Sequence, residues 1–344
     1  MTTMRALRVH AAHDLRVDEL PIPEPGPGEV DVAIEVGGIC GSDLLYLQHG
    51  GINDFPLREP MILGHEVVGR VARPSADVTA FREGDRVAVH PARPCGACEW
   101  CQAGRPNLCP ETRFLGSAMR YPHVQGGFAE HLVVTAAQLV PIPDGVSAEL
   151  AVFAEPLAVG IHAASRAGDL RGRSVLVAGA GPIGVLAVVA ARWAGAARVV
   201  VTDLVDEPLA IARAAGATDT IRVGGPDAPV IPEVDVAFEM SGSAPGLTSC
   251  LGAVRRGGRI VLVGIPAPGP VPAPMGMAVM REIEVVGSFR YGAEYAEAVA
   301  AIAAGAPVAP LRSAGFGLDG VDEAFALALD RRRAMKVQLD FRKA

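Results

Sequence analysis

The chain runs to 344 residues, half of them apolar and one fifth charged, with a formal net charge of −7. That length exceeds one ordinary core and points to two domains of roughly 150 residues each. The acidic balance excludes a nucleic-acid binder, which needs a basic footprint.

Taken in chain order, the first 20 residues lack the uninterrupted apolar core of a signal peptide, so a cytoplasmic location is expected. Residues up to about 150 are rich in Pro, Gly and short alternating runs. DVAIEV (31–36), EVVGRVA (66–72) and DRVAVH (85–90) read as strands, separated by turn chemistry such as PIPEPGPGE. These define a β-rich first domain over 1–152 whose loops carry the chemistry. Inside it lies Cys95-x2-Cys98-x2-Cys101-x7-Cys109. In a reducing compartment four cysteines so close together point to metal rather than disulfides. Four thiolates on one compact loop suit tetrahedral zinc, and a site with no open position is structural.

The rhythm changes near Leu170. SVLVAGAG, a helical stretch from Pro182 to Ala194 and RVVVTD make a strand–helix–strand unit. The uncharged run from Ser174 to Ala191 is not a membrane span, because Gly179, Gly181, Pro182 and Gly184 interrupt it. Helices near 208–215 and 247–255 alternate with strands at 234–242, 259–265 and 282–289, implying a doubly wound parallel sheet over 153–289. An Ala-rich helix near 294–304 and a final KVQLDF strand are assigned back to the first domain, which then comprises 1–152 and 290–344.

Gly179-Ala-Gly181-Pro182-Ile183-Gly184 follows a strand and opens a helix, so a pyrophosphate can sit at the helix N-terminus. Asp203 ends the next strand, about 20 residues on, where a carboxylate bonds an adenosine ribose hydroxyl. No Arg or Lys follows directly to receive a 2′-phosphate, which favours NAD over NADP. Cys40 in GGICGSD, His65 and Glu66 in LGHEVVG, and Glu155 in FAEPLAV are dispersed. Taken singly, each is as well explained by packing or by a helix terminus as by a metal.

Together these residues and motifs resemble the zinc-containing medium-chain dehydrogenases across essentially the whole chain: ELPIPEPGPGEV, GICGSD, MILGHEVVG, GDRVAV, the cysteine loop, EPLAVGIHA, GAGPIG, VVVTD and the terminal KVQL. The resemblance implies an α/β protein with a GroES-like catalytic domain and a Rossmann domain binding NAD, with the active site in the cleft between them. It also implies a catalytic zinc held by Cys40, His65 and a carboxylate, Glu66 or Glu155, beside the structural zinc. In that picture Asp43 orients His65, and the metal polarises a secondary alcohol whose hydride goes to NAD. Ser42 passes the alcohol proton outward. Val263, Ile265, Phe289 and Arg290 join the cofactor residues, and Tyr46, Arg290 and Tyr291 face substrate.

Within the family, Glu155-Pro156 and Phe289-Arg290-Tyr291 resemble sorbitol dehydrogenases. The stretch 113–130 is more similar to L-idonate 5-dehydrogenases, which makes an aldonate the leading substrate. Leu45 stands where polyol dehydrogenases often carry a histidine, so a proton relay through that position is absent. A sugar acid needs a cation, and Arg290, Arg113 and Arg120 are the candidates. Rival readings are a sorbitol, xylitol, butanediol or L-threonine 3-dehydrogenase, or a non-catalytic NAD- and zinc-binding protein. A small-molecule polyol or aldonate is the expected partner, with no nucleic acid and no membrane, and a homo-oligomer, tetramer or dimer, is expected.

Overall fold

The alternating N-terminal stretches form mostly antiparallel strands in the computed structural model, which describes residues 2–226 and 228–343. By its contacts the chain divides into two units. One comprises residues up to Glu155, Arg312–Asp330 and the segment from Lys336 on; the other comprises Pro156–Leu311 and Arg331–Met335.

In the first unit Glu29–Gly38 pairs with Glu66–Pro74, His131–Thr135 and Lys336–Asp340. With strand neighbours on both sides, its residues are almost all buried or half-buried. Lys336–Asp340 runs parallel to Arg312–Phe316, so the C-terminal segment completes a seven-stranded sheet begun near the N-terminus. All five residues of Lys336–Asp340 are buried, its lysine included. Gly38 lies opposite Glu66, and a side chain at Gly38 would meet Glu66 Oε2 at 2.3 Å. Only glycine leaves room there for the carboxylate.

The second unit holds a six-stranded parallel sheet. Its strands lie in the order Asp219–Arg222, Arg198–Asp203, Ser174–Ala178, Val234–Glu239, Val254–Leu262, Glu284–Gly287. In chain order that is 3-2-1-4-5-6, the doubly wound Rossmann arrangement, which binds ligands where the order reverses. Leu176, Val200, Ala237 and Ile260 are fully buried, as expected of parallel strands covered on both faces.

Some boundaries differ from expectation. Asp219–Arg222 is a strand the sequence did not reveal: DTIR is short, polar and at the sheet edge, without an apolar run to signal it. The helix expected at 247–255 is Ala244–Ala253, capped by Ser243, whose hydroxyl accepts from the Gly246 amide at 3.1 Å. Arg255 already belongs to the next strand. Residues 290–311 pack with the second unit, and 331–335 join them; only 312–330 and 336–344 return to the first. Contiguity of the tail suggested a single return, whereas the chain crosses over and back. Among the described residues, no helix is long and apolar enough to span a membrane.

Candidate metal and dinucleotide sites

Cys40 caps the helix Gly41–His49. The Asp43 carboxylate, fully buried in the first turn, accepts from the Cys40 amide at 2.9 Å and from the Gly64 amide at 3.1 Å. One carboxylate therefore pins the two loops that present Cys40 and His65. Asp43 acts on the His65 ring by charge and holds the backbone just before it, at Gly64. Burial raises the Asp43 pKa, and His65 is foremost among the groups pulling it back. Ser42 is half-buried on the same turn.

Ligand atoms of Cys40, His65 and Glu66 all lie within 4.8 Å of one another. Burial alone would push the His65 imidazole down, but the Cys40 sulfur and the Asp43 and Glu155 carboxylates outweigh it, holding its pKa up to about 10. Glu155 is itself buried, in the first turn of the helix Ala154–Ala167. The Glu66 carboxylate accepts from Lys336 Nζ at 2.5 Å through Oε1, while its buried Oε2 has no hydrogen-bond partner among the described residues. Burial opposes the Lys336 charge, yet Glu66, Cys40 and Glu155 hold its pKa above the usual lysine value. A thiol, an imidazole, an orphaned carboxylate oxygen and surplus negative charge are a donor set that fits zinc with a position left open. A metal would displace the proton that His65 otherwise keeps.

Lys336 was invisible as a site residue in the sequence. The available signal was a lysine opening a short strand whose other residues read as buried. Tyr46 is also buried, and its hydroxyl accepts from the Ala118 amide at 2.8 Å.

The four loop cysteines are all free thiols, with their sulfurs within 4.8 Å of one another. Tetrahedral zinc at ~2.3 Å per sulfur needs separations of roughly 3.8 Å, so the quartet fits it. The amides of Ala97 and Cys98 bring the Cys95 pKa down to about 6, while burial and Cys98 push Cys101 up to about 12. The short helix Glu99–Gln102 lies inside the loop, and Arg105 covers the Trp100 ring at 5.5 Å.

In the second unit, Gly181 caps the helix Pro182–Trp193, with Pro182 in its first turn and Ile183 half-buried behind it. A side chain at Gly184 would meet the Gly179 carbonyl at 1.9 Å, so the turn closes only on glycine. Asp203 ends its strand as expected, but its oxygens are already engaged. Oδ2 accepts from Ala180 at 2.7 Å, and Oδ1 from Leu204 at 2.7 Å and Val205 at 3.1 Å. Arg331 Nη2 lies 3.6 Å from Oδ2. No Arg or Lys directly follows Asp203 in the chain, and this one reaches it from 128 positions on. Glu239, buried at the end of its strand, accepts from the Ser241 and Gly242 amides and organises the loop facing Gly179. Sequence reasoning missed it.

The Val263 amide donates to the Glu239 carbonyl at 3.0 Å, and Ile265 is exposed. Arg290 takes a left-handed backbone (φ 53°) with its guanidinium 4.9 Å over the exposed Phe289 ring. Tyr291 is buried against Tyr295. Arg120 pairs with Glu111 at 3.1 Å, while Arg113 is exposed on the short strand Arg113–Phe114.

A GroES-like sheet bearing a Cys–His–Glu trio and a cysteine quartet, on one chain with a dinucleotide fold, defines a class. Residues 26–144 match the alcohol dehydrogenase GroES-like domain, and 182–304 match the zinc-binding dehydrogenase domain. The chain belongs to the zinc-binding alcohol and polyol dehydrogenase family. It is 40% identical to the L-idonate 5-dehydrogenase (NAD(P)(+)) of Escherichia coli over 90% of this chain and 91% of the relative. It is 38% identical to the sorbitol dehydrogenase of Bacillus subtilis over 88% and 86%. The crystal structure of the Escherichia coli L-idonate 5-dehydrogenase superposes with a TM-score of 0.94, at 38% identity, covering 99% of both chains.

Proposed function

We propose that this dehydrogenase oxidises a secondary alcohol of an aldonate, L-idonate to 5-keto-D-gluconate foremost, with NAD as hydride acceptor. The observation that carries the reading is the convergence of Cys40, His65 and Glu66 on one point, with a buried Glu66 oxygen left unpartnered among the described residues. The similarity to L-idonate 5-dehydrogenase over nine-tenths of the chain supports the substrate.

Cys40, His65 and a carboxylate, Glu66 or Glu155, hold one zinc; Cys95, Cys98, Cys101 and Cys109 hold a second. Zinc supplies Lewis acidity at the alcohol oxygen, bringing alcohol ionisation toward neutral pH. Asp43 keeps both ligand loops in place, and Lys336 balances the Glu66 charge. Ser42, exposed enough to reach solvent, hands the alcohol proton outward. Gly179 and Gly184 close the turn, and Gly181 leaves space for the pyrophosphate at the helix N-terminus, where Pro182 and Ile183 start the first turn. Asp203 takes the adenosine ribose. Val263, Ile265, Phe289 and Arg290 line the rest of the dinucleotide path, and Tyr46, Arg290 and Tyr291 meet substrate. The protein works as a homo-oligomer, tetramer or dimer, in the cytosol.

The test is NADH formation by zinc-loaded protein with L-idonate, D-gluconate, D-sorbitol, xylitol, 2,3-butanediol and L-threonine, with Cys40→Ser as the control. Expected is a preference of at least about tenfold in kcat/KM for L-idonate, and loss of turnover together with one zinc in Cys40→Ser. Preference for an uncharged polyol overturns the aldonate; full metal and activity in Cys40→Ser overturns the catalytic trio.

A further inference from the structure

The short strands Ala92–Arg93 and Arg113–Phe114 pair with Arg93 directly opposite Arg113. Phe114, opposite Ala92, packs its ring 5.3 Å from the His65 ring. Side chains alternate along a strand, so both arginines stand on the face turned away from His65. Like charges directly opposed on a strand pair destabilise it. Yet both arginines are exposed, and neither side chain has an ion pair or hydrogen bond among the described residues.

Both arginines line an open groove of about 570 Å³ in the first unit. Most of its wall is apolar, with Met4, Ile62, Leu115 and Leu132 among the residues lining it. The other polar groups of the wall already have partners. His131 Nδ1 lies 3.0 Å from Asp31 Oδ1, Gln125 Oε1 accepts from the Ile62 amide at 2.8 Å, and Gln138 Nε2 donates to the His90 carbonyl at 3.0 Å. Among the described residues the wall holds one carboxylate, Glu29, which accepts from the Gly26 amide at 3.0 Å. Two free guanidinium charges against that carboxylate leave the groove with one positive charge in surplus.

We propose that this groove is a separate ligand site, which takes a small monocarboxylate with an apolar body and seats its carboxylate on Arg93 and Arg113. None of its wall residues belongs to the metal trio or to the glycine turn of the second unit. Each of the opposed guanidinium groups offers a fork of donors to a carboxylate. The carboxylate's single charge matches the surplus, whereas a phosphate dianion would exceed it. The apolar body covers wall that water otherwise wets, and the volume is that of a small-molecule pocket. A carboxylate there also relieves the repulsion between the two arginines, so occupancy firms the strand pair behind Phe114.

The experiment is calorimetric titration of 4-phenylbutyrate into zinc-loaded protein, without nucleotide, for the wild type, Arg93→Ala/Arg113→Ala and Cys40→Ser. The neutral 4-phenylbutanol is run beside it. A carboxylate can also ligate zinc, and Cys40→Ser removes that route. Expected is binding of 4-phenylbutyrate by the wild type and by Cys40→Ser, with affinities within about threefold. The double arginine variant should bind it at least about tenfold more weakly, and the wild type should bind the alcohol at least about tenfold more weakly than the acid. Melting curves check that both variants fold, and the double variant should melt no lower than the wild type because a like-charge pair is gone. No 4-phenylbutyrate binding by the wild type overturns the inference. So does binding lost in Cys40→Ser but kept by the double variant, which puts the acid on the metal, and so does equal binding of acid and alcohol. Each of these results leaves the proposed function standing.

Discussion

Glu66 and Lys336 meet from strands 270 positions apart, both almost completely buried. Removing one partner of such a pair leaves a charge with no water to solvate it, which typically costs about 3–5 kcal/mol. Lys336→Met in metal-free protein should therefore lower unfolding stability by about that amount, read from denaturant midpoints. Adding Glu66→Gln should recover at least half of it, because the uncompensated charge goes too. An unchanged midpoint in Lys336→Met would show that the pair adds nothing to the fold. Glu66 was legible only through family resemblance, and Lys336 not at all, since neither has a local pattern that announces its partner. Asp43 was legible as a positioning group, yet what it positions, two backbone loops, emerges only from its hydrogen bonds.

At the scale of elements, the helix Ala154–Ala167 is tied to Glu294–Ala303 by His162 Nδ1 and Glu294 Oε1 at 2.8 Å. Burial works against the Glu294 charge, but His162 and the Gly292 amide outweigh it and bring its pKa from the usual 4.5 to about 2. A carboxyl that is a stronger acid when folded contributes stability in full above its unfolded pKa. That contribution is lost as pH falls from about 4.5 toward 2. Glu294→Gln should thus reduce stability at neutral pH by on the order of 2–3 kcal/mol. It should also flatten the decline of the unfolding midpoint between about pH 5 and pH 2. An acid limb as steep as the wild type's would remove Glu294 from the account. Elements with strong periodicity or turn chemistry, such as Ser174–Ala178 and Pro182–Trp193, were legible from the chain. The edge strand Asp219–Arg222 was not, because pairing with Arg198–Asp203 rather than its own composition makes it a strand.

For the whole molecule, two proposed zinc sites differ in how the chain builds them. The cysteine quartet closes within a single loop, whereas the trio needs Cys40 and the distant pair His65 and Glu66 brought together by the sheet. Metal at a locally built site should hold that loop without governing nucleotide binding. Cys98→Ser is expected to carry about one zinc per chain fewer and to unfold at lower temperature, with NADH affinity unchanged within about twofold. Metal analysis and a melting curve check this. Full zinc content with an unchanged melting temperature would mean that the quartet is not a metal site.

The amino-acid sequence by itself determined what depends on near neighbours. The cysteine spacing, the glycine turn after a strand and the alternation of apolar runs each encode their structure within a few residues. Tertiary structure alone decided what depends on distant partners. It set Lys336 against Glu66, brought Arg331 to Asp203, turned Asp203 onto backbone amides, and sent 290–311 with the second unit instead of the first. The physical reason is reach: a turn or a metal loop closes over a short stretch of chain. A buried charge takes its partner from whichever segment the tertiary fold sets beside it, and no local pattern records that choice.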